Sequence, residues 1–441
     1  MSLLGIAVEK PREIAVRLLC RYGEQADYLE NLLEKELSST ALIPPDRGLL
    51  QELTFGVVRW QATLDWLIAQ KTAGRAQKAA LQILLQLGLY QIFWLKRIPD
   101  HAAVHETVEM AKRLGFASQA GFVNAVLRSY LREKEPTEKK LQELKQLQPA
   151  LGYSHPEWLV ERWLHRWGGE KARQLLDWNN IPPPLYARLN TLKTDPQKLT
   201  AQWEKEGVQF TPRHWAWTGK DLVYQLTSHV ALLTLPSFQQ GWFYIQDPST
   251  LLAVQELDPQ PGESVLDLCA APGGKATFIA QRMQNQGHIL GADISQARLD
   301  LVRQNNSRLG ITCLQTNLLS NTVESKQHRP GFDRVLVDAP CSNTGVMRRR
   351  VDLRWRIRAD EIERLHRTQL DLLKRAAMEL KAGGTLVYST CSLEPEENER
   401  VIQEFLIAEP RFESVCEQTL LPFITDTDGG YVARMIFRND K

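Results

Sequence analysis

At 441 residues, with 43% hydrophobic and 24% charged side chains, the chain has an ordinary globular composition and is too long for one core, which predicts two or three domains. A net charge of +2 excludes global basicity, so any attraction for nucleic acid has to be local. Six cysteines (Cys20, Cys269, Cys313, Cys341, Cys391 and Cys416) form no C-x-x-C pair, which argues against a zinc site and a disulfide framework. The start lacks a long apolar core, and no stretch reaches the roughly 18 apolar residues of a membrane span. The expectation is a reduced, cytoplasmic monomer with no metal and no membrane partner.

Pro11 opens a helical pattern with Ile14, Ala15, Leu18 and Leu19 on one stripe. Leu29, Leu32, Leu33 and Leu37 follow, and Pro44-Pro45-Asp46 reads as a break. The clearest helix spans residues 81–94, where Leu81, Leu84, Leu85, Leu89, Ile92 and Phe93 recur at helical spacing and Gly88 leaves room for a neighbour. Helical patterns over 104–114 and 121–131 come next, and no strand pattern precedes residue 180. An all-helical bundle is expected. Tyr90 with its flanking Leu-Gly-Leu and Gln-Ile, Ile98-Pro99, His105 to Lys112, and Phe122 to Arg128 resemble the NusB family of RNA-binding antitermination factors. That resemblance implies a helical RNA-binding domain over residues 1–135. Lys112, Arg113, Arg128 and Arg132 fit two readings: solvated helix faces, or a platform gripping RNA phosphates without reading sequence.

Residues 133–149, charged and proline-bounded, read as a linker with some helical character. Trp158, Leu159, Trp163 and Trp167 lie at helical spacing after His155-Pro156, as expected of rings that pack against a neighbouring domain. Residues 186–190 read as a strand and 196–207 as a helix. Gln246-Asp247-Pro248-Ser249 makes a polar turn that caps a helix over 250–257. A small α+β connecting domain over residues 136–240 fits. It resembles the RNA-recognition segment that precedes the catalytic domain in RNA cytosine-5 methyltransferases, which places Gln246 and Asp247 at a domain contact.

From Glu263 onward, strands at 264–268, 288–292, 312–316, 334–337 and 385–388 alternate with helices at 275–283, 296–309 and 360–380. This alternation predicts a doubly wound, mostly parallel α/β sheet in a catalytic domain over 241–441. Residues 430–437 are expected to add an edge strand. The first strand runs into Asp267-Leu-Cys269-Ala-Ala-Pro-Gly273-Gly274-Lys275, where glycines let a ligand approach free N–H groups at a helix N-terminus. Asp293 ends the second strand with a carboxylate suited to ribose hydroxyls. With no G-x-G-x-x-G present, this is nucleoside geometry without a dinucleotide's pyrophosphate. The fourth strand stops at Asp338-Ala-Pro-Cys341, and a buried strand has no structural use for a carboxylate, a proline and a thiol there. From these residues alone, Cys341 is the candidate nucleophile and Asp338 its helper. Cys391 brings a second thiol to the end of the fifth strand. Arg348, Arg349, Arg350, Arg354, Arg356 and Arg358 crowd the loop after Cys341, interrupted only by Asp352, and are expected to face RNA phosphates.

Cys269 to Lys275, Ala292-Asp293-Ile294, Asp338 to Ser342, and Ser389 to Asn398 closely resemble the motifs of RNA cytosine-5 methyltransferases of the Sun/Fmu (RsmB) type. With the NusB-like stretch, the resemblance covers nearly the whole chain. It implies a C-terminal Rossmann-like fold, S-adenosylmethionine as cofactor, and a cytosine of small-subunit (16S) ribosomal RNA as substrate. The implied cofactor residues are Cys269, Ala270, Ala271, Pro272, Gly273, Gly274, Lys275, Asp293, Asn317 and Asp338. The resemblance makes Cys391 the nucleophile that adds to C6, Cys341 the group that assists elimination, and Asp338 the partner of N3. From their charge beside the strand end, Arg348, Arg349, Arg350 and Arg354 are the expected RNA contacts. Cys20, Cys313 and Cys416 read as structural. Two positions depart from the pattern. Asn317 stands where the family carries an acid, so a neutral amide replaces a charged acceptor. Val351 stands where proline is common, which predicts a less rigid loop. The alternatives are the same chemistry on tRNA, and a noncatalytic RNA-binding assembly factor.

Overall fold

The computed structural model describes residues 10–24, 27–227, 231–319 and 331–438; residues 1–9, read above for a leader, lie outside them. Two units emerge. One comprises the described residues up to Ile181 together with Met347–Arg356, and the other Pro182–Val346 and the residues from Ile357 on.

The first unit is helical. Pro11–Glu24, Leu29–Ser39, Pro44–Arg59, Gln61–Thr72, Ala79–Trp94, Asp100–Arg113 and Ala120–Arg132 are its principal helices. Ala79–Trp94 buries nearly every side chain from Leu84 to Ile92 and forms the centre of the bundle. A Cβ at Gly88 would stand 2.8 Å from Leu127 Cδ1, so the glycine is what lets these two helices close. Pro44-Pro45 does not break the chain. It starts a helix, at positions where the missing N–H is no loss. The expected linker is also a helix, Lys134–Leu147. Helix Glu157–Asn180, interrupted at Gly168, belongs to this unit as well, so the unit includes helices beyond residue 135. Trp163 is buried within the unit, against Trp167 and His155, and so packs at home.

The second unit contains two sheets. Strands β1 (Leu185–Leu189), β2 (Phe210–Arg213), β3 (Val223–Leu226) and β4 (Phe243–Ile245) form an antiparallel sheet in the order β2-β3-β1-β4. Helix Pro196–Glu206 begins at Asp195, whose side chain accepts from Lys198 N–H at 2.9 Å, and it buries Leu199 and Trp203 against this sheet. Because β4 pairs with β1, the small sheet extends past the expected boundary at residue 240.

Strands β5 (Ser264–Asp267), β6 (His288–Asp293), β7 (Leu314–Leu318), β8 (Phe332–Asp338) and β9 (Leu380–Thr390) are parallel; β10 (Phe412–Leu420) and β11 (Gly430–Phe437) are antiparallel additions. The order is β10-β11-β9-β8-β5-β6-β7. Strand β11 is therefore interior, paired on both sides. The edge belongs to β10, whose alternation of half-buried and exposed side chains gave no apolar run to read. Chain order reverses at β5, between β6 and β8, and the crevice beyond the C-terminal ends of such strands is where ligands bind in open α/β sheets. Among the described residues, no helix is long and apolar enough to cross a membrane.

Candidate active site

Strands β8 and β9 run parallel in a register that pairs Asp338 with Ser389, so the residues just beyond them emerge side by side. This brings Cys341 Sγ to 3.3 Å from Cys391 Sγ, although 50 residues separate them. Asn343, which sequence reasoning passed over, completes the pair. Its Nδ2 donates to Cys341 O at 2.7 Å, which orients the amide so that Oδ1 accepts from Cys391 Sγ at 2.9 Å. Asn343 holds a left-handed φ of 58°, a conformation that asparagine tolerates better than most residues. The hydrogen bond to Cys391, then burial, then the charges of Cys391 and Glu397 hold the Cys341 thiol well above the usual range. These contacts oppose ionisation of Cys341.

Next to the thiols, Lys275 Nζ lies 2.7 Å from Asp338 Oδ2, and Ser389 Oγ donates to Asp338 Oδ1 at 2.8 Å. Burial opposes the Lys275 charge, but Asp338 more than offsets it, with Cys391 and Asp267 adding to the effect, and the net shift is upward. A cation is therefore fixed in the pocket. Asp267, at the end of β5, is fully buried, and neither carboxylate oxygen meets a hydrogen-bond partner of ordinary geometry. Burial first and Asp338 second raise it to about 7, with Lys275 and the Cys269 amide opposing. Cys269 behaves oppositely to a nucleophile: burial, then Asp267, Asp338 and Asp293, push its thiol far up.

The turn after β5 leads into helix Gly274–Arg282, with Gly273 at its N-cap at a φ of 108°, a value L side chains rarely adopt. Arg188 of β1, 1% exposed, donates to Gly274 O at 2.9 Å and Thr277 Oγ1 at 3.1 Å, and also binds Gln246 Oε1. The small sheet is thus tied to the glycine turn through Arg188, with Gln246 as one of that arginine's acceptors. Asp293 accepts from Ser295 N–H at 3.0 Å and pairs with Arg298 at 3.3 Å. Two apolar side chains beside it, Ile294 and Leu318, are 74% and 46% exposed. Asn317 is exposed on β7, in register with Ala292. Ile294 and Leu318 carried no signal in the sequence, because exposure cannot be read from an isolated apolar residue.

The arginine run ends up elsewhere. Met347–Arg356 belongs to the helical unit, and Val351 is part of that unit's hydrophobic core. Arg354 is wholly buried, donating to Arg59 O at 3.2 Å, Ser154 O at 3.2 Å, Asn179 O at 3.0 Å and Asn180 Oδ1 at 2.9 Å. Arg348 is 2% exposed, with its guanidinium 4.2 Å from the Trp178 ring. These two arginines hold the interior together and do not present themselves to phosphate, which corrects the expectation for them. Arg349 is half-buried, and Arg350 is exposed. Val351, expected to loosen the loop, anchors it. In the same unit, Lys112 pairs with Glu109 at 2.6 Å and Arg113 with Glu13 at 2.5 Å. Among the described residues, no group of three His, Cys, Asp or Glu side chains could hold a metal ion.

Three family profiles match the chain in order: the NusB family over residues 9–132, an RsmF/B-like ferredoxin-like domain over 155–222, and the 16S rRNA methyltransferase RsmB/F family over 254–437. A Bacillus subtilis protein, the probable ribosomal RNA small subunit methyltransferase B, is 36% identical across 96% of this chain and 98% of its own. The chain belongs to this family. A methyltransferase homolog from Pyrococcus horikoshii is 32% identical, with a TM-score of 0.57 over 65% of this chain and 97% of that one. The crystal structure of PH0851 shares the fold across 97% of this chain and 99% of its own, with a TM-score of 0.77 at 24% identity.

Proposed function

We propose that this protein transfers a methyl group from S-adenosylmethionine to C5 of a cytosine in 16S ribosomal RNA through a covalent bond between Cys391 and C6. The observation that carries the reading is the pair of thiols 3.3 Å apart at adjacent strand ends, beside the Lys275–Asp338 pair. The names of the small-subunit methyltransferase B relatives support ribosomal RNA over tRNA.

The residues present fit the cofactor. The turn at Gly273 exposes backbone at a helix N-terminus, Asp293 lies where ribose hydroxyls would be met, and Ile294 and Leu318 offer apolar faces to a flat base. Asn317, opposite Ala292 in register, carries an amide oxygen able to accept from an adenine amino group. When bound, S-adenosylmethionine supplies a methyl carbon made electrophilic by its sulfonium. The protein residues do the remainder. Cytosine C5 is a poor nucleophile until a thiolate adds to C6, so Cys391 forms the S–C6 bond and the electron pair of the C5–C6 double bond becomes available at C5. Lys275 and Asp338 offset charge at the N3 side of the ring. The target base has to leave its stack to reach this pocket. Once C5 carries the methyl group, a base removes the C5 proton, the S–C6 bond breaks and the double bond returns. Cys341, whose ionisation its surroundings oppose, assists that departure. Of the arginine run, Arg350 and Arg358 are exposed; Arg358 is paired with Asp360 at 2.6 Å, and Arg350 is the member fit to meet phosphate.

Trapping on denaturing gels tests the roles. Cys341→Ala should accumulate a protein–RNA adduct and Cys391→Ala should form none; the reverse pattern would exchange the two roles. Bisulfite sequencing of ribosomal and transfer RNA from a deletion strain tests the substrate, with loss of a tRNA site alone overturning it.

A further inference from the structure

We infer that Glu397 is a positioning residue that sets the spacing of the two thiols. Its carboxylate is completely buried and receives four donors. Ser342 N–H (2.8 Å) and Gln369 Nε2 (3.1 Å) reach Oε1, while the hydroxyls of Ser342 and Ser392 both reach Oε2. Ser342 directly follows Cys341 and Ser392 directly follows Cys391, so one side chain joins the residue after each thiol. Gln369 Nε2 also donates to Pro340 O at 2.9 Å, holding the other side of Cys341. The adjacent Asn398 accepts from Thr390 Oγ1 at 2.6 Å and donates to Ser392 O at 3.0 Å, bracketing Cys391 in the same way.

The placement answers a need. The β8–β9 register ends at the Asp338–Ser389 pair. Beyond it Ala339 N–H still donates to Ser389 O and Gly345 N–H to Cys391 O, both at 2.9 Å, and side-chain bonds have to hold the stretch around Cys341. A buried carboxylate is a costly way to fill space, since an apolar residue would pack without desolvating a charge. Burial pushes the Glu397 carboxyl up, and its serine and glutamine donors offset part of that. Four donors converging on one buried acid mark a built clamp. A nucleophile displaced by about 1 Å loses roughly 10²-fold in rate, so the clamp bears directly on turnover.

The inference rests on the two-thiol reading above, and the test separates the two. Diamide joins neighbouring thiols as a disulfide, two electrons and two protons passing to its azo bond. The wild-type pair should cross-link readily, read as loss of alkylatable thiol; wild-type thiols that never cross-link would overturn the spacing itself. In Glu397→Ala, cross-linking should slow about tenfold or more and kcat fall roughly 10²-fold, while S-adenosylmethionine affinity by calorimetry stays unchanged. Glu397→Gln should fall between, because its oxygen keeps the two N–H donors and its amide faces hydroxyls free to rotate. If Glu397→Ala loses cofactor binding along with its fold, the double variant Ser342→Ala/Ser392→Ala, which strips both donors from Oε2, carries the test with the same readouts. A folded variant that cross-links at the wild-type rate overturns the inference, whatever its turnover. Wild-type protein that cross-links, together with a Cys341→Ala variant that traps no RNA adduct, overturns the two-thiol chemistry instead.

Discussion

Two stretches of this chain advertised chemistry, and the fold treated them in opposite ways. Cys341 and Cys391 stand 50 residues apart in sequence and meet at 3.3 Å. The arginines between residues 348 and 356 are close neighbours in sequence, and the fold divides them among a core, a tryptophan face and the surface. The thiols follow strands of a parallel sheet, whose topology delivers successive strand ends to one edge. A run of like charges has no topology of its own. What becomes of each arginine depends on which carbonyls and rings the helical unit leaves unpaired, and Arg354 found four acceptors there.

The contrast can be broken or sharpened by substitution. The largest effect is expected on the strand-end side, at Asp267. An acid whose folded pKa is raised to about 7 makes the folded state hold a proton that the unfolded chain releases from about pH 4, so stability falls as pH rises through that window. Asp267→Asn removes this slope and should gain up to roughly 4 kcal/mol on the wild type between pH 4 and pH 8. Urea titrations at a series of pH values measure it, and a difference that does not change with pH would refute the assignment. On the arginine side, Arg354→Ala should cost about 3 kcal/mol, because it strands several buried acceptors. Denaturation monitored by tryptophan fluorescence reads that loss, and an unchanged midpoint would return Arg354 to the candidate RNA contacts.

Smaller effects come from the residues at the margin of each region. Asn343→Gly keeps the left-handed backbone and removes only the amide. It should lower kcat about tenfold with little change in KM, the equivalent of one hydrogen bond to the thiol. Initial rates across RNA concentrations decide this, and a pure KM effect would make Asn343 a substrate contact. Arg350→Ala should leave the unfolding midpoint unchanged and reduce the salt slope of RNA binding by about one. An unchanged slope would remove Arg350 from the interface and leave Arg349 as the one remaining candidate of the four predicted arginines.

Much of the catalytic sheet was legible because its signals are local. Helix Gln296–Leu309 and strand β6 follow directly from apolar spacing and from turn residues at their ends. The helices from Pro44 to Thr72 were missed because a double proline reads as an ending, when at the first turn of a helix it is a beginning. Strand β10 was missed because its side chains alternate on an exposed edge. In the site, Lys275, Asp338 and both cysteines were found by type and position. Asn343 and Glu397 were not singled out, since each acts through a partner that lies far along the chain.

By itself the sequence determined the three-part order of the chain, the parallel sheet, and the kinds of group at its strand ends. Those properties come from periodicity, from turn chemistry and from side chains that have no other use where they stand. Tertiary structure alone decided that the helical unit extends to residue 181 and takes in Met347–Arg356, that β11 is interior, and that one buried carboxylate links the residues after both thiols. Each of these is a pairing across many residues. The free energy of such a pairing depends on what remains unburied and unbonded once the local elements have formed, and no local pattern encodes that.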